Sequence, residues 1–367
     1  MCLATVILLL FSPHYRSLHG FFLLLKYELL TKYFVIAYSF IALQKEKDVH
    51  IIYRYSLIGL SVLTFISLLN YLMGHSEFVN AMTAGRDSFT AMDKIGQDLG
   101  ERYSNQDRFR VQGMFLLAFD YGYVCSIFFL FYLYGLLCRF IPRNVGVYAL
   151  LCCLFGVITC NCRTVLFCLL ISFFVYYYYS YGIKIIKYVI VLLSGFLIVY
   201  AFNSDLQKKT NEKVVSIFVD EGDVQGSSLA MRAVQYAAVF THVEGHEIVG
   251  RGKDYFNIDM GWKDGREFLE DPDLEGIEGV LLNLILERGI IGVLFWAFFY
   301  FGLFVYIQKN RQFDEKSASC GLACVVYYLI YANMTGEMGC VYPTMLILGV
   351  IVKKQYLSKL KFLSKTS

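Results

Sequence analysis

Residues 279–307 read GVLLNLILERGIIGVLFWAFFYFGLFVYI, a long apolar run. A helix needs about 20 largely apolar residues to cross the hydrocarbon core of a bilayer, so this run predicts a membrane span. The chain of 367 residues is 57% hydrophobic and only 17% charged. Soluble domains carry about 25% charged residues, and the mean hydropathy here is +0.53. The sequence therefore predicts an all-α, polytopic integral membrane protein.

Apolar runs elsewhere in the chain predict further spans. The regular ones are 51–73, 113–138, 144–162, 164–181, 184–203, 317–335 and 340–356. Two less regular spans are predicted at 2–12 and 20–43, which gives about ten in total.

A polar segment, 204–278, separates the seventh and eighth predicted spans. It holds 16 Asp and Glu residues against 8 Lys and Arg residues. We expect three regions: an N-terminal transmembrane bundle (1–203) with an external loop at 74–112, a large external loop (204–278), and C-terminal transmembrane helices with a basic tail (279–367).

The short basic loops all fall on one side of this topology. They contain Lys45 and Lys47, Arg139 and Arg143, Lys184 and Lys187, Lys309, Arg311 and Lys316, and Lys353, Lys354, Lys359, Lys361 and Lys365. The positive-inside rule makes this side cytoplasmic, with both termini inside. Because the charge is segregated in this way, the net charge of +3 indicates no nucleic-acid partner.

Cysteine and aromatic residues are abundant. Most of the 11 cysteines lie in apolar runs, where Cys behaves as a small hydrophobe. Cys160-Asn161-Cys162 is a close pair near a predicted surface, but no CxxC and histidine set accompanies it, so packing is favoured over redox or metal use. The aromatic content of 17% fits interfacial belts, and we read the tyrosines at 176–179 in this way.

Within the polar segment, residues 229–243 have a helical pattern that Gly245 could end. Arg232, Gln235 and His242 fall within about 80° of one another on such a helix. This predicts an amphipathic helix at the membrane surface with one cationic face. The alternative is an ordinary solvated polar face.

Two later stretches of this segment can each be interpreted in two ways, as a structural element or as a binding site. Gly250-Arg251-Gly252 predicts a tight turn back to the membrane, or a phosphate-binding nest. The acidic run 267–278 lacks the ligand spacing of an EF-hand, so we expect a solvated loop rather than a metal site.

Arg163 stands between two apolar runs with no loop around it. Arginine at the centre of a membrane helix costs about 2.5–3.5 kcal/mol, so such a residue is a functional candidate. The alternative is that it snorkels to the outer headgroups.

Three stretches together resemble the O-antigen polymerases and ligases. They are RFRVQGMF at 108–115, NCRTVL at 161–166, and the region from Arg232 through HEIVGRGKDYF to EGIEGVLLNLILERGIIGVLFW at 275–296. Their order, spacing and sidedness match over residues 50–310. Where the ligases carry His-Asn before the following span, this chain has Glu278-Gly279, which is more similar to capsule and O-antigen polymerases.

The resemblance implies a GT-C-type, metal-independent glycosyltransferase of polysaccharide biosynthesis, without a cofactor. It would lie in the bacterial inner membrane with its active site facing the periplasm or outside. Its donor would be a glycan on undecaprenyl diphosphate, and its acceptor the non-reducing sugar of another lipid-linked repeat unit. Membrane lipids would surround it, and a chain-length regulator is an open further partner.

Site roles follow from this chemistry. Arg163 and Arg232 would bind the diphosphate, because guanidinium groups make permanently charged, bidentate hydrogen bonds. Glu278 is the first candidate for the general base, with His242 behind it. Further candidates for substrate binding are Arg110, Arg251 and His246. Two alternative functions remain: an O-antigen ligase, and a flippase or transporter of lipid-linked oligosaccharides.

Overall fold

The structure is a computed structural model. It describes residues 22, 33–76, 110–115, 117–184, 187, 229–253, 255, 279–336 and 341–366. Every regular element in these residues is a helix. Only helices and closed barrels satisfy all backbone groups inside a bilayer, so this agrees with the predicted class.

Nine α-helices and one 3-10 turn make up the described part. They are α1 (Phe34–Ala42), α2 (Glu46–Met73), α3 (Ala118–Leu137), α4 (Arg143–Thr159), α5 (Arg163–Tyr181), α6 (Leu229–Val243), α7 (Val280–Lys309), the 3-10 turn Arg311–Phe313, α8 (Glu315–Thr335) and α9 (Val341–Thr366). Five of them, α2, α3, α5, α7 and α8, are long and apolar enough to cross a membrane. The total of about ten spans and the GT-C type stay predictions. The predicted spans 2–12 and 184–203 lie outside the described residues, except for Lys184 and Lys187.

The predicted start of α3 is wrong by several residues. The helix begins at Ala118, and the residues before it form a loop with Gly113 at a φ of +60°. The N–H of Val111 donates to the carbonyl of Thr159 (3.0 Å), and the Nδ2 of Asn70 donates to the carbonyl of Gly113 (2.9 Å). This loop therefore joins the end of α4 to the end of α2 and does not open a span.

Helices α3 and α8 form the centre of the bundle, and most of their residues are buried. α8 packs against α3, α5, α7 and α9. Tyrosines fill much of the interior: the rings of Tyr123 and Tyr331 lie 4.6 Å apart, and those of Tyr123 and Tyr327 lie 5.3 Å apart. Aromatic residues therefore also fill the core, in addition to the interfacial belts that the sequence predicts.

Some interior tyrosines are stabilised by hydrogen bonds from their hydroxyl groups to neighbouring helices. The hydroxyl of Tyr53 on α2 donates to the carbonyl of Phe131 on α3 (2.9 Å). The hydroxyls of Tyr134 on α3 and Ser317 on α8 lie 2.6 Å apart. These bonds fix the central helices relative to one another.

Basic residues from several turns meet at one end of the bundle. Lys316 Nζ donates to the carbonyl of Leu137 (2.9 Å), and Arg311 Nη2 donates to the carbonyl of Tyr179 (2.7 Å). These contacts join the end of α3, the end of α5 and the turn before α8. This end is named the basic end, and it is defined by Arg139, Arg143, Arg311, Lys316 and Lys354.

Helix α7 is broken at Gly289, where φ is +58° and ψ is −161°. A Cβ atom on Gly279 would lie 3.1 Å from the carbonyl oxygen of Asn333, and the Trp296 ring is 6.5 Å from the Tyr328 ring. A straight helix from Gly279 to Trp296 would extend about 25 Å, whereas Tyr328 to Asn333 covers about 7.5 Å of α8. The chain therefore turns sharply at Gly289.

The single span predicted at 279–307 is thus two segments. Residues 280–288 lie across the end of α8, and residues 290–309 run along the bundle for about 30 Å, which is enough to cross a bilayer. The hydropathy of the run hides this break, because both segments are apolar.

Helix α6 packs on the first segment of α7. Ala238, Val239 and Val243 of α6 form a small buried cluster with Leu282 and Leu286. The unit made by residues 229–253 and 280–288 is named the cap. Because α8 begins at the basic end, the cap covers the opposite end of the bundle, named the cap end.

A cysteine introduced at the cap end and one introduced at the basic end should be accessible to a thiol reagent from opposite sides of the membrane. Glu244 follows α6 in the cap and Lys184 follows α5 at the basic end, and both are exposed. In intact cells, a membrane-impermeant maleimide should modify Glu244→Cys at once. Lys184→Cys should react only after permeabilisation, because the bilayer separates it from the reagent.

The parent chain is the control for this experiment, since eight of the nine cysteines among the described residues are buried and Cys138 is half-buried. Equal labelling of both variants in intact cells would contradict the topology.

Candidate functional site

Helix α6 turns its polar face toward the protein. Gln235 is 1% exposed and Arg232 is half-buried, whereas Val234, Tyr236 and Phe240 on the other face are 45%, 41% and 57% exposed. The predicted helix is confirmed with its bounds, Leu229–Val243, while its position at the membrane surface stays a prediction. The alternative of a solvated polar face is wrong. The cationic face points into the cap end.

Arg232 links the cap to the bundle. Its Nη2 donates to the carbonyl of Met334, in the last turn of α8. The final carbonyls of a helix have no partner within the helix and carry partial negative charge, so a guanidinium is stabilised there.

The break in α7 leaves backbone groups without their helical partners, and the loop after α6 supplies new ones. The N–H of Ile290 donates to the carbonyl of Glu247 (2.8 Å), and the N–H of Ile291 donates to the carbonyl of Ile248 (3.1 Å). Without the loop, both N–H groups would be unsatisfied, at a cost of several kcal/mol each in an apolar environment.

The carbonyl groups that these N–H groups would reach in an unbroken helix are also satisfied by the loop. The carbonyl of Leu286 accepts from the N–H of Arg251 (2.8 Å), and that of Glu287 accepts from the N–H of Gly252 (3.0 Å). Four loop hydrogen bonds thus replace two helical ones, and the loop is inserted into the break like a short strand.

Glycine is required on both sides of this contact. A Cβ atom on Gly250 would lie 2.4 Å from the backbone nitrogen of Arg288, and one on Gly289 would lie 2.5 Å from the carbonyl oxygen of Glu247. The N–H of Gly250 donates to the carbonyl of His246 (2.7 Å), and the next two N–H groups bond to the break. The predicted tight turn is confirmed, and the alternative of a phosphate-binding nest is wrong.

Arg251 and His246 hold the cap together. Arg251 Nε donates to the carbonyl of His242 (2.6 Å), which caps the C-terminus of α6. The N–H of His246 donates to the carbonyl of Val243 (2.7 Å), while its side chain is exposed. The structure therefore directs the guanidinium of Arg251, predicted to bind substrate, to the backbone of the cap itself.

The carboxylate of Glu247 also stabilises this turn. Hydrogen bonds from its own N–H and from the N–H of Gly245 (2.9 Å) lower the pKa of Glu247 below its ordinary value of 4.5. Because the folded pKa is the lower one, this stabilisation is present above pH 4.5 and is lost as the pH falls through the folded pKa.

An ion pair that the sequence analysis missed lies beside the break. Lys253 Nζ is 2.9 Å from Glu287 Oε2, and the two side chains are 23% and 11% exposed. The sequence contained a signal for this pair, because Glu287 lies inside an apolar run and a carboxylate in such a position usually has a specific partner. The pair ties the loop after α6 to the first segment of α7.

Arg163 and Arg110 flank the turn between α4 and α5. Arg163 is exposed as the first residue of α5, so it lies at the rim and not at the centre of a span. The guanidinium of Arg110 lies 5.8 Å from the Phe119 ring and acts electrostatically on Cys160 and Cys162. These cysteines are 0% and 1% exposed, so the expectation that they lie near a surface is wrong.

Three of the predicted arginines lie at the same end of the bundle, the cap end. Helices α5 and α8 pack closely and antiparallel, since the end of α5 contacts the turn before α8. The start of α5, with Arg163 and the nearby Arg110, therefore lies on the side of the end of α8, where Arg232 binds. Glu278 lies outside the described residues. Among the described residues, no three His, Cys, Asp or Glu side chains cluster as metal ligands would.

Comparison with known proteins adds no family: no protein-family model matches the chain, and no curated protein matches it in sequence. Functional inference therefore depends on the motifs of the sequence and on the geometry of the cap end.

Replacing Gly250 by alanine should release the cap. Its Cβ atom would collide with the backbone at the break, and its φ of +72° is itself unfavourable for alanine by about 1–2 kcal/mol. Trypsin should then cleave at Arg251 and Lys253 at least about tenfold faster, because the loop opens more often. The rate is measured on the purified full-length protein by mass spectrometry of the fragments.

Gly245→Ala is the matched control. Gly245 has a φ of +77°, but a Cβ atom there would meet nothing within 4 Å. It should show only the effect of backbone strain. Equal cleavage of the two variants would refute the inserted loop as the anchor of the cap.

Proposed function

We propose that the chain is a membrane glycosyltransferase that polymerises lipid-linked oligosaccharide repeat units for O-antigen, capsule or exopolysaccharide. The donor is a glycan on undecaprenyl diphosphate. The acceptor is the non-reducing sugar of a second lipid-linked unit. The reaction takes place at the cap end, on the outer side of a bacterial inner membrane.

The observation that supports this proposal is that Arg110, Arg163 and Arg232, from three separate parts of the chain, lie at the same end of the bundle. Transfer of a glycan from a lipid diphosphate releases a diphosphate with developing negative charge. Guanidinium groups stabilise that charge with charge-assisted bonds and require no metal ion. Such stabilisation is often the largest single contribution to catalysis.

The outward face of α6 suits a lipid-linked substrate. Val234, Tyr236, Phe240 and Ile248 expose apolar side chains on the outer surface of the cap. A helix with this pattern lies in the membrane interface with its apolar face toward the acyl chains. A polyprenyl chain could lie along this face while its diphosphate reaches the inward face with Arg232.

A base must accept the proton of the acceptor hydroxyl. Glu278 remains the first candidate. His242 is the second, since it is half-buried at the end of α6, with its ring centroid 6.5 Å from that of Tyr255. Glu287 is less suited, because its two carboxylate oxygens both bind Lys253 (3.2 and 2.9 Å).

The same chemistry with a lipid A-core acceptor would make the protein an O-antigen ligase. The Glu278-Gly279 pair in place of His-Asn favours the polymerase. An assay that offers the core lipid as acceptor separates the two, since a polymerase should leave the core lipid unmodified.

The break in α7 is a feature that would also fit a transporter, because many transporters form their substrate sites from broken helices. In transporters, however, such breaks lie near the bilayer midplane. Here the break lies near the end of α8, its backbone groups are bonded to the loop, and about 30 Å of continuous helix follows it. We therefore favour the enzyme.

Removal of Arg163 or Arg232 should shorten or abolish the polymer. In a deletion strain complemented with Arg163→Ala or Arg232→Ala, we expect polymer yield to fall by about 10²–10³-fold, as for the loss of one charge-stabilising donor. Arg232→Lys keeps the charge but not the bidentate geometry, so it should recover only part of the activity. Polymer is measured by gel electrophoresis of cell-surface polysaccharide at equal protein level.

Arg54→Ala is the control, since Arg54 is an exposed arginine near the start of α2, toward the basic end. Wild-type polymer length and yield in both Arg163→Ala and Arg232→Ala would refute the assigned site.

The deletion strain also separates polymerase from transporter. A polymerase deletion should accumulate single lipid-linked repeat units on the outer leaflet, whereas loss of a transporter should trap them on the inner leaflet. The side is read with an impermeant glycosidase on intact cells. Accumulation only on the inner leaflet would exclude the polymerase.

A further inference from the structure

The basic end contains a cavity of about 610 Å³ that the proposed reaction does not use. It lies at the turn between α3 and α4. Its lining is formed by Leu136, Arg139, Phe140, Ile141, Pro142 and Arg143. Two arginine residues and three apolar residues, Leu136, Phe140 and Ile141, therefore border the same space.

The charge around this cavity is strongly positive. Arg139 and Arg143 are exposed, and neither forms an ion pair with a carboxylate among the described residues. Lys354 Nζ lies 4.6 Å from the centre of the Phe140 ring, on the cavity wall. Lys316, bound to the carbonyl of Leu137, adds a further positive charge nearby.

Two carboxylates at the basic end, those of Asp314 and Glu315, have partners of their own. Asp314 caps α8 by accepting from the N–H and hydroxyl of Ser317 (3.0 and 2.7 Å). Glu315 forms an ion pair with Arg311 (2.6 Å). The cavity thus keeps an excess of positive charge.

The backbone at Arg139 is unusual for this residue type. Arg139 follows the end of α3 with a φ of +58°, where glycine or asparagine is usually found. An arginine thus borders the cavity in spite of an unfavourable backbone conformation. The start of α4 at Arg143 adds free N–H groups and a positive helix dipole on the other side.

We propose that this cavity binds a phosphate group, supplied by an anionic phospholipid of the surrounding leaflet. The guanidinium groups of Arg139 and Arg143 would hold the phosphate. Leu136, Phe140 and Ile141 would contact the glycerol and the first acyl carbons, which a freely soluble phosphate lacks. The basic ends of membrane helices lie at headgroup level, where basic pockets between helices recognise anionic lipids. This site does not depend on the proposed enzymatic function.

The test uses purified, delipidated full-length protein in detergent. Dioleoylphosphatidylglycerol should raise Tm by about 3 °C or more, because a ligand that binds only the folded state stabilises it. Dioleoylphosphatidylcholine and inorganic phosphate should each give a much smaller shift. Native mass spectrometry should show one retained phosphatidylglycerol per chain.

Arg139→Gly combined with Arg143→Gln is the decisive variant. Glycine accepts the positive φ at position 139, so the lipid-free protein should unfold at the same Tm as the parent or slightly above it. Its response to phosphatidylglycerol should fall to that of phosphatidylcholine. Lys184→Gln combined with Lys187→Gln removes equal charge from exposed positions after α5 and should keep the full response.

Three results would overturn the site. The first is an unchanged lipid response in the Arg139→Gly, Arg143→Gln variant. The second is an equal loss in the lysine control, which would indicate general attraction of charge. The third is a shift with inorganic phosphate as large as that with phosphatidylglycerol, which would make the ligand a soluble anion.

Discussion

The structure of the cap end depends on the hydrogen bonds that satisfy the break in α7. Where the backbone hydrogen bonds of a helix are interrupted near a bilayer, N–H and C=O groups lose their partners, and lipid cannot replace them. Here the loop after α6 supplies four backbone bonds across the break at Gly289. Because Gly250 and Gly289 have no Cβ atoms, the two backbones can approach closely enough to form them. The break is therefore a stable feature and not a distortion.

This anchor determines what the rest of the cap can do. The first segment of α7 lies across the bundle, and α6 packs on it through Ala238, Val239 and Val243. That packing turns the polar face of α6 inward and brings Arg232 to the end of α8. A candidate site for a charged leaving group thus forms beside a surface that suits a lipid chain. At the other end of the bundle, the turn between α3 and α4 gathers its own positive charge around Arg139 and Arg143.

Much of the fold was predictable because it depends on hydropathy along the chain. Runs of apolar residues gave the spans, with helix ends close to the observed ones for α5 and α8. The bounds of α6 followed from its helical pattern and its glycine stop. The start of α3 was predicted too early, since Gly113 sits in a loop bonded to α2 and α4. The interior tyrosines were also missed, because composition does not tell which side of a helix meets another helix.

The sequence by itself determined that this chain is a helical membrane protein with its basic turns grouped together, because transfer of each segment into lipid depends on local composition. The sequence also indicated Arg163 and Arg232 as candidate diphosphate-binding residues. Only the tertiary structure decided that α7 is broken, that Arg251 serves the cap and that Glu287 pairs with Lys253. The bonds across the break and the ion pair join segments about 34 to 43 residues apart in sequence, for which no local pattern exists.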